Sequence, residues 1–339
     1  MQLTQVDQVL LLNGVQEMES REGQDPSAGN APVHVSVLRQ EVLALLAGEV
    51  GERARLSGWF VDGTLGFGGH AELVLRECPL ISVLGIDQDP EILALAAQRL
   101  KPFGDRVRIA HGRASQLAEI LENQGLSAPT GMLLDLGVSS LQLDRPERGF
   151  AFNADGPLDM RMDPTRPRTA AEIVNHWDES DLADLFFYEG GDRRARRIAR
   201  AIVEARRKSP FLRTGALADL IARSAPSSGK SHPATRSFQA LRRAVNEEGE
   251  ELIAALGAAE SCLAEGARLA VISFHSGEDG VVKRFFARGA RSAAWRILTR
   301  KPLTPSREEL RANRRSRSAS LRAAVRLGRN PEAAVEVQP

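Results

Sequence analysis

The chain has 339 residues, 42% hydrophobic and 26% charged, which places it in the globular range with room for a full core and a second, smaller one. Its two cysteines, Cys78 and Cys262, lie far apart and in no C-x-x-C arrangement, so neither a disulfide framework nor a thiolate metal cluster is expected, and a reducing cytoplasm is the natural setting. No run approaches the ~20 apolar residues of a membrane helix, and the apolar run at 9–12 has no basic residues before it, so neither insertion nor export is expected.

Residues 1–32 carry five acids against Arg21 alone, with Gly, Ser, Pro and Asn toward the end, and read as a flexible extension. From residue 58, short apolar runs alternate with helix-like stretches, the pattern of βαβ units and a parallel sheet. A strand at 59–61 ends on Asp62 and enters a Gly-rich turn before a helix at 71–78. A second strand at 83–86 runs into Asp87, and Pro90 opens the next helix. A third strand at 107–110 precedes a helix at 115–122, and a fourth at 132–134 stops at Asp135. The alternation then breaks: 140–266 shows no convincing strand, with helices at 170–176, 181–188, 193–207 and 216–223, and reads as a helical insertion that recognises substrate. The sheet resumes at 269–274, followed by a helix near 280–288 and strand candidates at 295–299 and 320–327. No helix is predicted between these last two, which suits antiparallel pairing at the sheet edge. The fold class is therefore α/β, Rossmann-like, with 33–139 and 267–329 forming the sheet domain and 330–339 a flexible tail.

The net charge of +1 conceals an uneven distribution. Residues 281–329 hold fifteen Lys and Arg against only Glu308 and Glu309. A polyanion is the expected partner, unless the run is only a solubilising face. The insertion adds Arg193, Arg194, Arg196, Arg197, Arg200, Arg206, Arg207 and Lys208, and a loop at 227–236 suited to gripping phosphates.

The turn Gly66-x-Gly68-x-x-Ala71 lets backbone N–H groups approach a ligand closely, at a helix N-terminus that favours negative charge. Alone it also satisfies the dinucleotide pattern. Asp87, about twenty residues on, can accept both ribose hydroxyls of an adenosine, which suits NAD and S-adenosylmethionine equally. Asp62 would face the pyrophosphate of NAD but suits a ligand with a free ammonium group, and Asp135 adds a third strand-end acid. Each alone reads as a helix N-cap; together they favour a cationic cofactor.

On these segments the chain resembles the RsmH/MraW family, bacterial ribosomal RNA cytosine-N4 methyltransferases with a class I methyltransferase fold, over roughly residues 33–329. The resemblance is carried by His34 to Leu38, Asp62 to His70, Gly85 to Pro90, Leu134 to Asp144, Asp155 to Asp163, His232 to Arg242 and Ile272 to Ser276, in this order. It implies S-adenosylmethionine as cofactor, with contacts at Gly68, Gly69, His70, Asp87, Asp135 and Gln142. A further contact falls at position 114, where the family usually has an aromatic near the adenine and this chain has Ala114, with Arg113 available to cover the ring instead. The implied substrate is 16S rRNA of the small ribosomal subunit, free or assembled, modified at a cytidine of the decoding region; a homodimer is compatible with the resemblance.

Cytosine N4 is a weak nucleophile, so an acceptor for its proton is expected in the loop after the fourth strand. Asp135, Ser139 in that loop and His275 after the fifth strand are the candidate catalytic residues. C5 methylation would need a cysteine at the target base, and both cysteines read as small core residues instead. Ser276 with Asp279 resembles an ordinary helix cap, and a lone His275 is as readily structural as catalytic. The six histidines show no metal-ligand spacing. An NAD-dependent oxidoreductase, resting on the turn and Asp87, and a non-enzymatic RNA-binding assembly factor, resting on the basic segment, are the alternatives.

Overall fold

The computed structural model describes residues 36–48, 53–226 and 232–328. The extension at 1–32, the tail at 330–339, Arg329 and the first half of the loop expected at 227–236 lie outside the described residues. None of the described helices is long and apolar enough to cross a membrane.

Helix α1 (Arg39–Ala47) precedes β1 (Ser57–Asp62), α2 (Gly69–Glu77), β2 (Leu80–Asp87), α3 (Pro90–Leu100), β3 (Val107–His111), α4 (Leu117–Gln124) and β4 (Gly131–Asp135). β1 pairs in parallel with both β2 and β4, and β2 with β3. After the insertion come β5 (Arg268–Ser273), α12 (Ser276–Arg291), β6 (Trp295–Ile297), α13 (Arg307–Ala312) and β7 (Ser320–Arg326). The seven strands are ordered β3-β2-β1-β4-β5-β7-β6, with β7 antiparallel to both neighbours: the Rossmann-like sheet of class I methyltransferases. The late strands do pair antiparallel, but β7 inserts between β5 and β6, and the short helix α13 lies in the connection where none was expected.

Each central strand buries both faces, which is why these strands read as continuous apolar runs. Phe60, Val83, Leu133 and Ile272 pack one face with Val42, Val74 and Leu93 of α1, α2 and α3. Val61, Leu84, Met132 and Val271 pack the other with Leu117, Leu252 and Phe285.

Between β4 and β5 lie α5 (Ser140–Asp144), α6 (Ala170–His176), α7 (Glu179–Asp184), α8 (Ala195–Arg206), α9 (Thr214–Ser224), α10 (Thr235–Asn246) and α11 (Glu248–Cys262). The stretch expected as one helix at 181–188 is α7 followed by a π-helical turn, Leu185–Glu189. Residues from Leu158 to Val245 form a separate apolar core, in which Phe186, Ile198, Leu217 and Leu241 are central. By contrast Leu252, Ala255, Leu256 and Ala259 of α11 pack in the core of the sheet.

Candidate cofactor and substrate crevice

The parallel strands deliver Asp62, Asp87 and Asp135 to one edge of the sheet. The turn between β1 and α2 is held open by its own backbone: Leu65 N–H donates to Ile86 O (2.9 Å) and Gly68 N–H to Leu65 O (2.8 Å). Gly68 sits at φ 75°, a left-handed position where glycine carries no steric penalty. A Cβ on Gly69 would come within 2.1 Å of Ser36 Oγ, so any larger residue there would have to turn that hydroxyl aside.

Behind that turn lies a polar cluster with unspent hydrogen-bonding capacity. Asp62 is 1% exposed and its Oδ1 has no partner among the described residues. Burial, reinforced by the negative charge of Asp135 and Asp87 and opposed by His70, pushes its carboxyl up to about 7. His70 is buried with neither ring nitrogen hydrogen-bonded, and its Nε2 lies 3.6 Å from Asp135 Oδ2. Asp135 Oδ1 is likewise unpartnered, while its backbone N–H donates to Thr64 Oγ1 (2.6 Å). Buried polar groups are ordinarily satisfied, and orphans gathered in one crevice mark where a ligand supplies the missing partners. Two carboxylates and an imidazole fit the ammonium and sulfonium of S-adenosylmethionine; they do not fit a pyrophosphate.

Asp87 accepts from Gly66 N–H (2.9 Å) and Asp89 N–H (3.0 Å), so it shapes the glycine turn beside it. Its burial raises the carboxyl to about 6, against the opposing pull of these hydrogen bonds. The helix-capping acid here is Asp89, fully buried, which accepts from Glu91 N–H, Gln142 Nε2 (2.8 Å) and Arg148 Nη2 (2.8 Å). Arg148 also donates to the carbonyls of Arg161 and Met162. The end of β2 is thus bolted to the start of the insertion, a junction the sequence reading did not anticipate.

Ser139 caps α5: its Oγ accepts from Gln142 N–H, and Gln142 Oε1 accepts from Ser139 N–H (3.0 Å). Gln142 is therefore engaged at both ends of its amide, toward Asp89 and Ser139, and Ser139 Oγ is an acceptor in the cap. Ala114 is buried in the sheet core. Arg113 does not cover a ring beside it, because its guanidinium is spent on Glu247 Oε2 (3.1 Å) and Asn246 O (2.9 Å).

His275, rather than Ser276, is the N-cap of α12: its Nδ1 accepts from Glu278 N–H (3.3 Å). An accepting Nδ1 leaves the proton on Nε2, which lies 3.0 Å from Glu278 Oε1. Glu278 Oε2 in turn accepts from Phe274 N–H (2.9 Å). Burial tends to raise the Glu278 carboxyl, but its contacts to His275 and Phe274 hold it below its ordinary value. The Phe274 ring lies beside Gly137, so this loop and the loop after β4 face each other across the crevice. Among the insertion's basic residues, Arg194 is spent on Asp192 and Arg206 on the carbonyls of Val174 and Trp177, whereas Arg193, Arg196, Arg197, Arg207 and Lys208 are exposed.

The profile of the MraW methylase family matches residues 31–327. The chain is 47% identical over 330 residues to the ribosomal RNA small subunit methyltransferase H of Beijerinckia indica, covering 91% of this chain and 90% of that protein. It is also 47% identical over 306 residues to the protein of the same name from Synechococcus elongatus, covering 89% of this chain and 98% of that one. Among solved structures, it is similar to an rRNA methylase from Streptococcus thermophilus at a TM-score of 0.39 and 10% identity, covering 86% of this chain and 94% of that chain.

Proposed function

The chain belongs to the MraW methylase family, and from that premise we propose that it transfers a methyl group from S-adenosylmethionine to the N4 amine of a cytidine in the decoding region of 16S rRNA, in the cytoplasm. The observation that carries the reading is the trio of buried Asp62, buried His70 and half-buried Asp135, each with a side-chain atom that has no hydrogen-bond partner among the described residues, at the carboxyl edge of the sheet next to the loop from Asp135 to Ser140. The cofactor supplies an activated methyl on a cationic sulfur.

The chain's own residues then position and desolvate. Asp62 and His70 face the cationic end of the cofactor, Gly68 and Gly69 let the backbone close on it, and Asp87 holds the ribose. Asp135, whose Oδ1 has no partner among the described residues, accepts a hydrogen bond from the N4 amine and favours its pyramidal, nucleophilic form, the proton leaving after the methyl has been transferred. Positioning of this kind is worth ~7–11 kcal/mol of a barrier. Gln142 acts through Asp89 and Ser139, holding the loop rather than touching substrate. With its Nδ1 used in the cap of α12 and its Nε2 beside Glu278 Oε1 at 3.0 Å, His275 forms part of the wall of the target-base site.

An NAD-dependent oxidoreductase would have to place a pyrophosphate against the buried Asp62 and half-buried Asp135 carboxyls, which repel it. The experiment is methyl transfer from labelled cofactor into hypomethylated small subunits, with the product nucleoside identified by chromatography. N4-methylcytidine is expected; a different modified nucleoside, or no transfer at all, contradicts the reading.

A further inference from the structure

The sheet topology sends the connection between β6 and β7 across the same edge as the crevice. β7 is antiparallel to β5, and its first residue, Ser320, pairs with Ser273, the last of β5, so the chain just before Ser320 lies at the carboxyl ends of the parallel strands. Three contacts fix this strap. Leu303 bridges to Leu321. Glu309 Oε1 accepts from Leu38 N–H (2.8 Å), two residues from the Ser36 hydroxyl that lies against Gly69. Arg315 Nη2 donates to both carboxylate oxygens of Asp144 (2.9 and 3.2 Å), the last residue of α5. The strap thus joins the cofactor turn on one side to the helix following Asp135 on the other.

The many cations of this region are not equivalent. Arg322 is buried and bidentate on Asp279 (2.7 and 2.9 Å). Arg326 is buried on the carbonyls of Glu260 and Ala294, and Arg315 is committed to Asp144. Arg311, Arg314 and Arg317 are exposed and make no ion pair among the described residues. Arg314 and Arg317 lie three apart on a 3-10 turn, Arg314–Ser318, where such side chains eclipse and project together. With Leu310 they line one pocket. The buried Ser316 hydroxyl donates to Asn313 O (2.7 Å), anchoring the turn from beneath.

We propose that Arg311, Arg314 and Arg317 grip phosphates of the RNA strand that enters the crevice, fixing the nucleotides beside the target base. Planar guanidinium forks suit phosphate oxygens, two of them here on an anchored 3-10 turn and Arg311 in the last turn of α13 just before it, and such contacts set register without reading sequence. The inference rests on the RNA-methyltransferase reading above and adds which arginines hold the substrate.

The test is the full chain carrying Arg311→Gln, Arg314→Gln and Arg317→Gln together. Thermal unfolding and S-adenosylmethionine affinity should match the parent. Affinity for small-subunit RNA should fall roughly tenfold or more, with a salt dependence flatter by about two units, since each single-strand phosphate contact contributes ~0.7. The loss should appear in KM for RNA more than in kcat. The corresponding Arg→Lys triple should keep the salt slope while losing affinity, which guards against a folding artefact in the Gln variant. A parental salt slope in the folded Gln triple overturns the proposal, as does an equal flattening in a Lys283→Gln, Arg284→Gln, Arg288→Gln control on α12. A parent with no salt-dependent binding to small-subunit RNA overturns the functional reading as well, so the two failures are distinguishable.

Discussion

Asp62 and Asp87 reach about 7 and about 6 because the fold removes them from water without giving them a cation. Both folded values lie above the ordinary 3.8 of an unfolded aspartate, so folding favours the neutral form. Their contribution to stability is fully present below that ordinary value and is lost as pH rises through about 6 for Asp87 and about 7 for Asp62. Chemical denaturation of the ligand-free chain should accordingly show stability declining across that window. A cationic cofactor reverses the balance, drawing the Asp62 carboxyl down and expelling its proton. Affinity for S-adenosylmethionine should therefore rise with pH up to about 7, by at most about tenfold per unit for one proton. Calorimetry in buffers of different ionisation enthalpy should register proton release near pH 6.5 (roughly, midway between those two carboxyls), and no release would remove Asp62 from the cation site. Asp87→Ala should weaken cofactor binding by ~1.5–3 kcal/mol, the usual value of hydrogen bonds to a charged group, read by the same calorimetry on a folded variant. The three acids were legible in the sequence because each closes an apolar run that can only be a strand. The Asp89–Arg148 junction was not, because its partners lie 59 residues apart and only the folded insertion brings them together.

At the scale of elements, apolar runs bounded by acids and glycines located β1, β2, β4 and β5, where burial on both faces leaves no other reading. Short elements escaped: α13 has only six residues, and the π-helical turn at Leu185–Glu189 carries the same apolar spacing as the helix it extends. Because α11 buries its apolar face against the sheet while α10 packs within the insertion, we place the insertion's end between Asn246 and Glu248. Asn246 is the hinge pin of that boundary. Its Nδ2 donates to Met160 O and Arg242 O and its Oδ1 accepts from Met162 N–H, each at 2.8 Å, and it is 2% exposed. Met160 is held at φ 66°, a left-handed position that a side chain adopts only under constraint. Asn246→Ala would leave buried backbone groups of Met160 and Met162 unpaired and should destabilise the chain on the order of 1–3 kcal/mol. Thermal unfolding measures this, and an unchanged midpoint would show that the 160–162 segment is held by other contacts.

Over the whole molecule, the parallel sheet has two chemically distinct edges, and the chain's thiols are on the wrong one for covalent catalysis. Cys78 follows the C-terminus of α2 just before β2, and its carbonyl accepts from Arg106 Nη2 (2.8 Å) and Ile81 N–H (3.2 Å) at the amino end of that strand. Cys262 ends α11 just before β5, where Ala264 N–H donates to Pro129 O (2.9 Å), also at the amino edge. Strands rise ~3.3 Å per residue, so the path from Leu80 to Asp87 alone separates the two edges by roughly 23 Å. Burial also pushes both thiols above their ordinary value, the opposite of what a nucleophile needs. Cysteine count and spacing had already argued against C5 chemistry, but only the topology supplies the distance. The Cys78→Ala, Cys262→Ala double variant should keep most of its methyl transfer, with some loss of stability from the small void at the fully buried Cys78. Asp135→Ala should fall by ~10²–10⁴-fold, the usual worth of an acid–base or orienting group, while remaining folded, since its Oδ1 has no partner among the described residues and its Oδ2 only approaches His70 at 3.6 Å. The measurement is labelled methyl transfer into hypomethylated small subunits, with products separated against N4- and C5-methylcytidine standards. Loss of activity in a folded cysteine-free chain, or a C5-methylated product from the parent, would overturn direct attack by the amine.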